Sequence, residues 1–146
     1  MKAIVCNEWC KPEDLKVTEI ESPALDNSSV RVEVHAAGVN FPDVLIVQGK
    51  YQYKPTFPFS PGSEVSGTIS EVGSNVKNLK IGDRVMAVTG HGAFAEEVCV
   101  PENKVTQIPN DLDFITAASM SLTYGTSAYA LFQRANIKEN DIVLIH

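Results

Sequence analysis

The sequence is poor in cysteine, has no cluster of basic residues and carries no long apolar run, and each lack removes a class of function. Only Cys6, Cys10 and Cys99 are cysteine among 146 residues. So few, and an odd number, do not make the disulfide framework of a small secreted domain. Cys6 and Cys10 are spaced like half of a metal site, but zinc would need two more ligands. The plainer reading is reduced thiols, buried or at an edge. Twelve Lys and Arg stand against eighteen Asp and Glu, a formal net charge of −6. No basic stripe is present to neutralise phosphates, so nucleic acid is not an expected partner. No apolar run approaches the roughly 20 residues of a membrane-crossing helix. The first ten residues are too short and too mixed for a secretory leader. The expectation is a cytoplasmic protein without a membrane partner.

What is present fits an ordinary globular chain. Hydrophobic residues make up 44% and charged residues 21%, enough apolar material for a core without disulfides or metals. Strand-like runs fill the first hundred residues: MKAIV, LKVTEI, VRVEVHAAGV, VSGTISEVG, DRVMAV and AEEVCV. Val30, Val32 and Val34 alternate with Arg31, Glu33 and His35, the period of a half-buried strand. Turn signals separate the runs at Ser22-Pro23, Asp26-Asn27, Pro61-Gly62, Gly73-Ser74-Asn75, Gly82-Asp83 and Gly90. Many short strands with polar turns imply a small barrel or sandwich. The charge pair in Gly82-Asp83-Arg84 reads as solvated and of little consequence.

After Pro109 the pattern changes. Asn110-Asp111 can cap a short helix through Asp113–Met120. A longer helix is expected from Tyr124 to Ala135, with Ala128, Leu131 and Phe132 on one face. Past the polar turn at Lys138–Asp141 comes Ile142-Val143-Leu144-Ile145-His146. A run apolar throughout belongs in a parallel sheet covered on both faces, and one strand cannot make such a sheet. The chain therefore reads as two units, residues 1–120 and 121–146, with the second incomplete.

In order and spacing, several segments resemble the medium-chain dehydrogenase/reductase superfamily, and more closely its quinone oxidoreductase branch. They are Ala36–Asp43 (AAGVNFPD), Gln48–Tyr51, Pro58–Glu64 (PFSPGSE), Gly67, Glu71-Val72-Gly73, Gly82–Val85, Gly92–Glu96 and Leu122–Thr126 (LTYGT). The resemblance implies a mainly β, GroES-like, partly open β-barrel with a few helices, followed by the start of a Rossmann domain. It also implies a nicotinamide cofactor, NADPH or NADH, in the cleft between the two. The sequence holds no G-x-G-x-x-G, so the pyrophosphate cradle is absent from it. The implied activity is reduction of a small-molecule quinone or enone by hydride transfer, with a homodimer possible for the full-length enzyme and this chain alone inactive. Zinc-dependent members place Cys where Asn40 stands and His where Ser63 stands, and their lobe of four cysteines has no counterpart near Val88–Ala95. An amide and a hydroxyl are poor zinc ligands, so neither a catalytic nor a structural zinc is expected.

Without zinc, hydrogen-bond donors must stabilise the charge that grows on the acceptor oxygen, and an acid or an ordered water must deliver the proton. By its match to the family, Asn40 lies near the nicotinamide; alternatively it only braces the loop after the Val30–His35 strand. Tyr51 matches an active-site tyrosine whose phenol donates to the acceptor, or else it fills the cleft wall; Tyr53 is the weaker alternative. Thr126, with Phe41, is expected at the cofactor, unless its hydroxyl back-bonds to a helix carbonyl. Phe59, Tyr124 and Asp43 are expected to line the acceptor pocket, although Asp43 and Glu64 equally suit structural hydrogen bonds to loops. Two other functions fit the same sequence: a non-catalytic GroES-like module, and a reductase of enoyl thioesters from the same superfamily.

Overall fold

The fold is taken from a computed structural model that describes residues 1–145. Strands β1 (Lys2–Val5) and β2 (Lys16–Glu19) form an antiparallel pair. β3 (Ser29–Gly38), β4 (Glu64–Val72), β5 (Arg84–Val88), β6 (Glu97–Pro101) and β7 (Val105–Gln107) form an antiparallel sheet in the order β6-β3-β4-β5-β7. Neither sheet closes on itself. They are stitched together where Ile4 N–H donates to Phe94 O at 2.8 Å and Glu96 N–H to Lys2 O at 3.0 Å. This is the mainly β, partly open barrel that the family resemblance implies, and it decides between the barrel and the sandwich that the strand pattern alone left open.

The alternation in β3 is realised. Val30 and Val32 are fully buried, and Glu33 and His35 face solvent. These valines join Val65, Ile69, Val85, Ala87, Ala93, Val98 and Val100 in the main core. A smaller cluster of Cys6, Ile46, Val47 and Phe59 lies apart from it, with Cys10, Leu15, Tyr51 and Phe57 against its flank. The sheet packs its inward face because period-two side chains on one side are apolar.

Helices are short: α1 (Phe41–Val47), α2 (Phe114–Ala118) and α3 (Thr123–Ala128), the last continuing as a π-helical stretch at Tyr129–Arg134. The short helix after Pro109 is found, but its cap is not Asn110-Asp111: Asp113, expected inside the helix, caps α2 by accepting from Thr116 N–H at 2.8 Å. The Tyr124–Ala135 helix is found but divided between α and π geometry, and its apolar face is uncovered, with Phe132 65% exposed. Residues 142–145 carry no strand pairing, and Ile142, Leu144 and Ile145 are exposed; the end of that expected strand, His146, lies outside the described residues. The solvated reading of Arg84 is wrong. Its guanidinium donates to the carbonyls of Pro109 (2.8 Å), Asn110 (2.6 Å) and Leu112 (2.6 Å) and sits 4.4 Å over the Phe114 ring. A fork of donors can hold three carbonyls at once, and here it fixes the approach to α2.

Candidate active site

α1 begins where β3 ends, and the residues at that junction are polar. Asn40, in extended conformation, is the residue before the helix. Its backbone N–H donates to Asp43 Oδ2 at 2.8 Å, so Asp43 reaches back across the first turn, where a carboxylate is favoured. Asp43 Oδ1 accepts from Ser63 Oγ at 2.9 Å. The Asn40 side chain turns the other way, and its Nδ2 donates to Glu64 Oε1 at 2.9 Å. Glu64 Oε2 accepts from the backbone N–H of Leu122, also at 2.9 Å.

These bonds make one chain, Ser63–Asp43–Asn40–Glu64–Leu122. It ties the start of α1, the start of β4 and the approach to α3 together. Asp43 is 3% exposed and Glu64 2%. Buried carboxylates are costly unless donors surround them, and here both oxygens of each accept a hydrogen bond. Room for the Glu64 side chain comes from Gly38: a Cβ there would stand 2.8 Å from Glu64 Cγ and 2.9 Å from Ala118 O.

The residues expected to act together divide into three places. Asn40 and Asp43 belong to the buried network. Asp43 is thus a structural cap rather than a pocket wall, because both its oxygens are already committed. Tyr51 leans, half-buried, on the small core cluster, and Phe59 is buried within it. Phe59 still borders a groove of about 320 Å³ shared with Ser60, Thr89 and His91, which is not the surface around Asn40. Phe41 and Tyr124 are exposed, 72% and 69%, and Thr126 is exposed on α3. Thr123 and Ser127 donate their hydroxyls to helix carbonyls; among the described residues Thr126 makes no such bond. The Asn40 side chain has one partner there, Glu64, and among the described residues its carboxamide oxygen and second N–H are unengaged.

Several links were not foreseen, although the sequence singles out Tyr53 and Ser63. Leu122 enters through its backbone, which no side-chain motif announces. Tyr53 Oη lies 2.8 Å from His91 Nδ1, joining residues far apart in the sequence. Burial holds the His91 imidazole below its ordinary pKa. Ser63 Oγ also stands 3.3 Å from Gly90 O, which tethers the Gly90–Gly92 turn to the network. Among the described residues no three His, Cys, Asp or Glu are placed to hold a metal.

Residues 26–110 match the family model described as the alcohol dehydrogenase GroES-like domain. That defines the class: an N-terminal domain of the alcohol dehydrogenase type. The chain is 45% identical, over 99% of its length, to the quinone oxidoreductase-like protein 2 homolog of Nematostella vectensis, and spans 40% of that relative. Among solved structures it resembles the human synaptic vesicle membrane protein VAT-1 homolog-like protein, with a TM-score of 0.91 and 35% identity over 95% of this chain and 45% of that one. It also resembles the Escherichia coli quinone oxidoreductase complexed with NADPH, with a TM-score of 0.83 and 31% identity over 92% of this chain and 41% of that one. The chain belongs to the medium-chain dehydrogenase/reductase superfamily, in its quinone oxidoreductase branch.

Proposed function

We propose that this chain is the acceptor-side domain of an NAD(P)H-dependent reductase that transfers hydride to a quinone or enone without zinc, its dinucleotide-binding half lying in sequence beyond this chain. The observation that carries the reading is the state of Asn40 and Ser63. Both are hydrogen-bonded to carboxylates, Asn40 to Glu64 and Ser63 to Asp43. Zinc takes Cys, His and carboxylate ligands. Here the amide and hydroxyl are poor donors to a metal, and the carboxylates beside them are already occupied. A zinc ion does not suit this donor set.

A nicotinamide suits it better. Asn40, with a free amide oxygen and N–H, Thr126, with an unengaged hydroxyl, and Phe41, an exposed ring, would hold that end of the cofactor. Bound there, the nicotinamide supplies the hydride. Asn40 is kept in place by Glu64, so its orientation costs little at the moment of reaction. Tyr51 donates from its phenol to the acceptor oxygen as charge grows there. Tyr124 and Phe41 cover the acceptor and exclude water.

The test is cofactor binding, read from NADPH fluorescence. A protein extended through the downstream reading frame is expected to bind NADPH, and this chain alone is expected not to. Tight binding by this chain alone would overturn the division into halves. With the extended protein, turnover of enoyl thioesters in preference to quinones would overturn the substrate class.

A further inference from the structure

Two thiols meet near the C-terminal end of α1, the end away from Asn40. Cys6 pairs with Phe59: Cys6 N–H donates to Phe59 O at 2.8 Å and Phe59 N–H to Cys6 O at 3.1 Å. Cys10 N–H donates to Val47 O at 3.0 Å, at the end of α1. Separate elements thus pin both ends of a short segment, and the two Sγ atoms stand 3.9 Å apart. Cys6 is 1% exposed. Cys10 is half-buried and borders an open groove of about 380 Å³ with Trp9, Lys11, Asp14, Gln48 and Lys50. Two ammonium groups against one carboxylate give that groove a net positive lining, which favours an anionic reagent.

We propose that Cys6 and Cys10 are a thiol–disulfide exchange site for a small anionic disulfide. The reagent meets Cys10 in the groove, and Cys6 completes the reaction from below. The Cys10 thiolate attacks one sulfur of the reagent, forming a mixed disulfide and releasing one thiolate. The Cys6 thiolate then attacks Cys10 Sγ, forming the Cys6–Cys10 bond and releasing the second thiolate. The two cysteine protons end on the two released thiols; the cysteine pair is oxidised and the reagent reduced. The order follows from access and from burial, which pushes the Cys6 thiol up to about 11, so Cys6 is protonated near neutrality and waits for an activated partner.

The site has a built-in reporter. Trp9, the single tryptophan, lies between the two cysteines in the chain. Its ring packs on Gly49, where φ is +67° and a Cβ would stand 2.8 Å from Trp9 Cδ2, and edge-on to Phe57 at 4.5 Å. Joining the cysteines constrains the segment that carries Trp9, and Gly49 leads into Lys50 and Tyr51. The exchange does not depend on the reductase reading.

The experiment treats protein of this sequence with excess oxidised glutathione and then counts free thiols under denaturing conditions. Loss of two hydrogens in the intact mass is expected, with Cys99 alone left to label, a Cys6–Cys10 link in peptide mapping, and a change in Trp9 fluorescence that dithiothreitol reverses. Cys99→Ser is expected to react like the parent. Cys6→Ser is expected to stop at a lasting glutathione adduct on Cys10, and Cys10→Ser to form neither. The parent count decides the matter even where Cys6→Ser does not fold. Three free thiols after treatment, a lasting adduct on the parent, or a link between two chains would overturn the proposal.

Discussion

Glu64 is the residue on which the most depends, because it is buried and each of its oxygens accepts one hydrogen bond. Glu64→Gln keeps the shape but turns an N–H toward either Asn40 Nδ2 or Leu122 N–H, a donor against a donor. Leaving buried donors unmatched costs about 1–3 kcal/mol, and urea denaturation is expected to show a loss of that size, while Ser70→Ala on the exposed face changes stability little. His91 adds a dependence on pH. Burial lowers its folded pKa, whereas the unfolded side chain protonates near about 6.5. The neutral ring therefore contributes stability above that pH, and the contribution is lost as pH falls through the folded value. Unfolding midpoints of the parent are expected to fall on acidification below about pH 6.5, and those of His91→Gln to fall less.

At the scale of elements, α1 is a short helix held more by its cap than by its length. Seven residues are below the length at which a helix stands alone. Asp43→Ala removes the bonds to Asn40 N–H and Ser63 Oγ. A lost cap costs about 0.5–2 kcal/mol, and amide exchange in Phe41–Val47 is expected to rise more than exchange in β3 and β4. This helix also marks where the sequence ceased to be legible. The strand-like runs announce themselves because several of them alternate apolar and polar residues, Val30–His35 most regularly, and turn signals bound them. Phe41–Val47 spans too few turns for a 3.6-residue period to stand out, and Val105–Gln107, a three-residue edge strand, is too short for any period. The site was legible unevenly in the same way. Asn40, Asp43 and Glu64 could be singled out by family pattern, but the Asn40–Glu64 and Glu64–Leu122 bonds cross 24 and 58 residues, and Leu122 takes part through a backbone N–H common to almost every residue. Arg84 was misread because its partners are carbonyls rather than the adjacent Asp83.

The whole molecule is two-sided. One side is the buried core of the antiparallel sheet. The other, from α3 onward, leaves Tyr124, Tyr129, Phe132, Ile142, Leu144 and Ile145 open to solvent, a run of exposed apolar residues that isolated soluble domains seldom carry and that marks interaction surfaces. In our proposal a dinucleotide-binding half covers this side and closes the cleft at Asn40 and Thr126, with no metal in the chemistry. The most direct measurement is steady-state NADPH oxidation with a para-quinone, by the protein extended through its downstream reading frame, before and after exhaustive chelation. Turnover that chelation leaves unchanged, and that Tyr51→Phe lowers by about 10²-fold or more as loss of a proton donor does, is the expected result. Turnover that chelation abolishes and zinc restores would contradict the account.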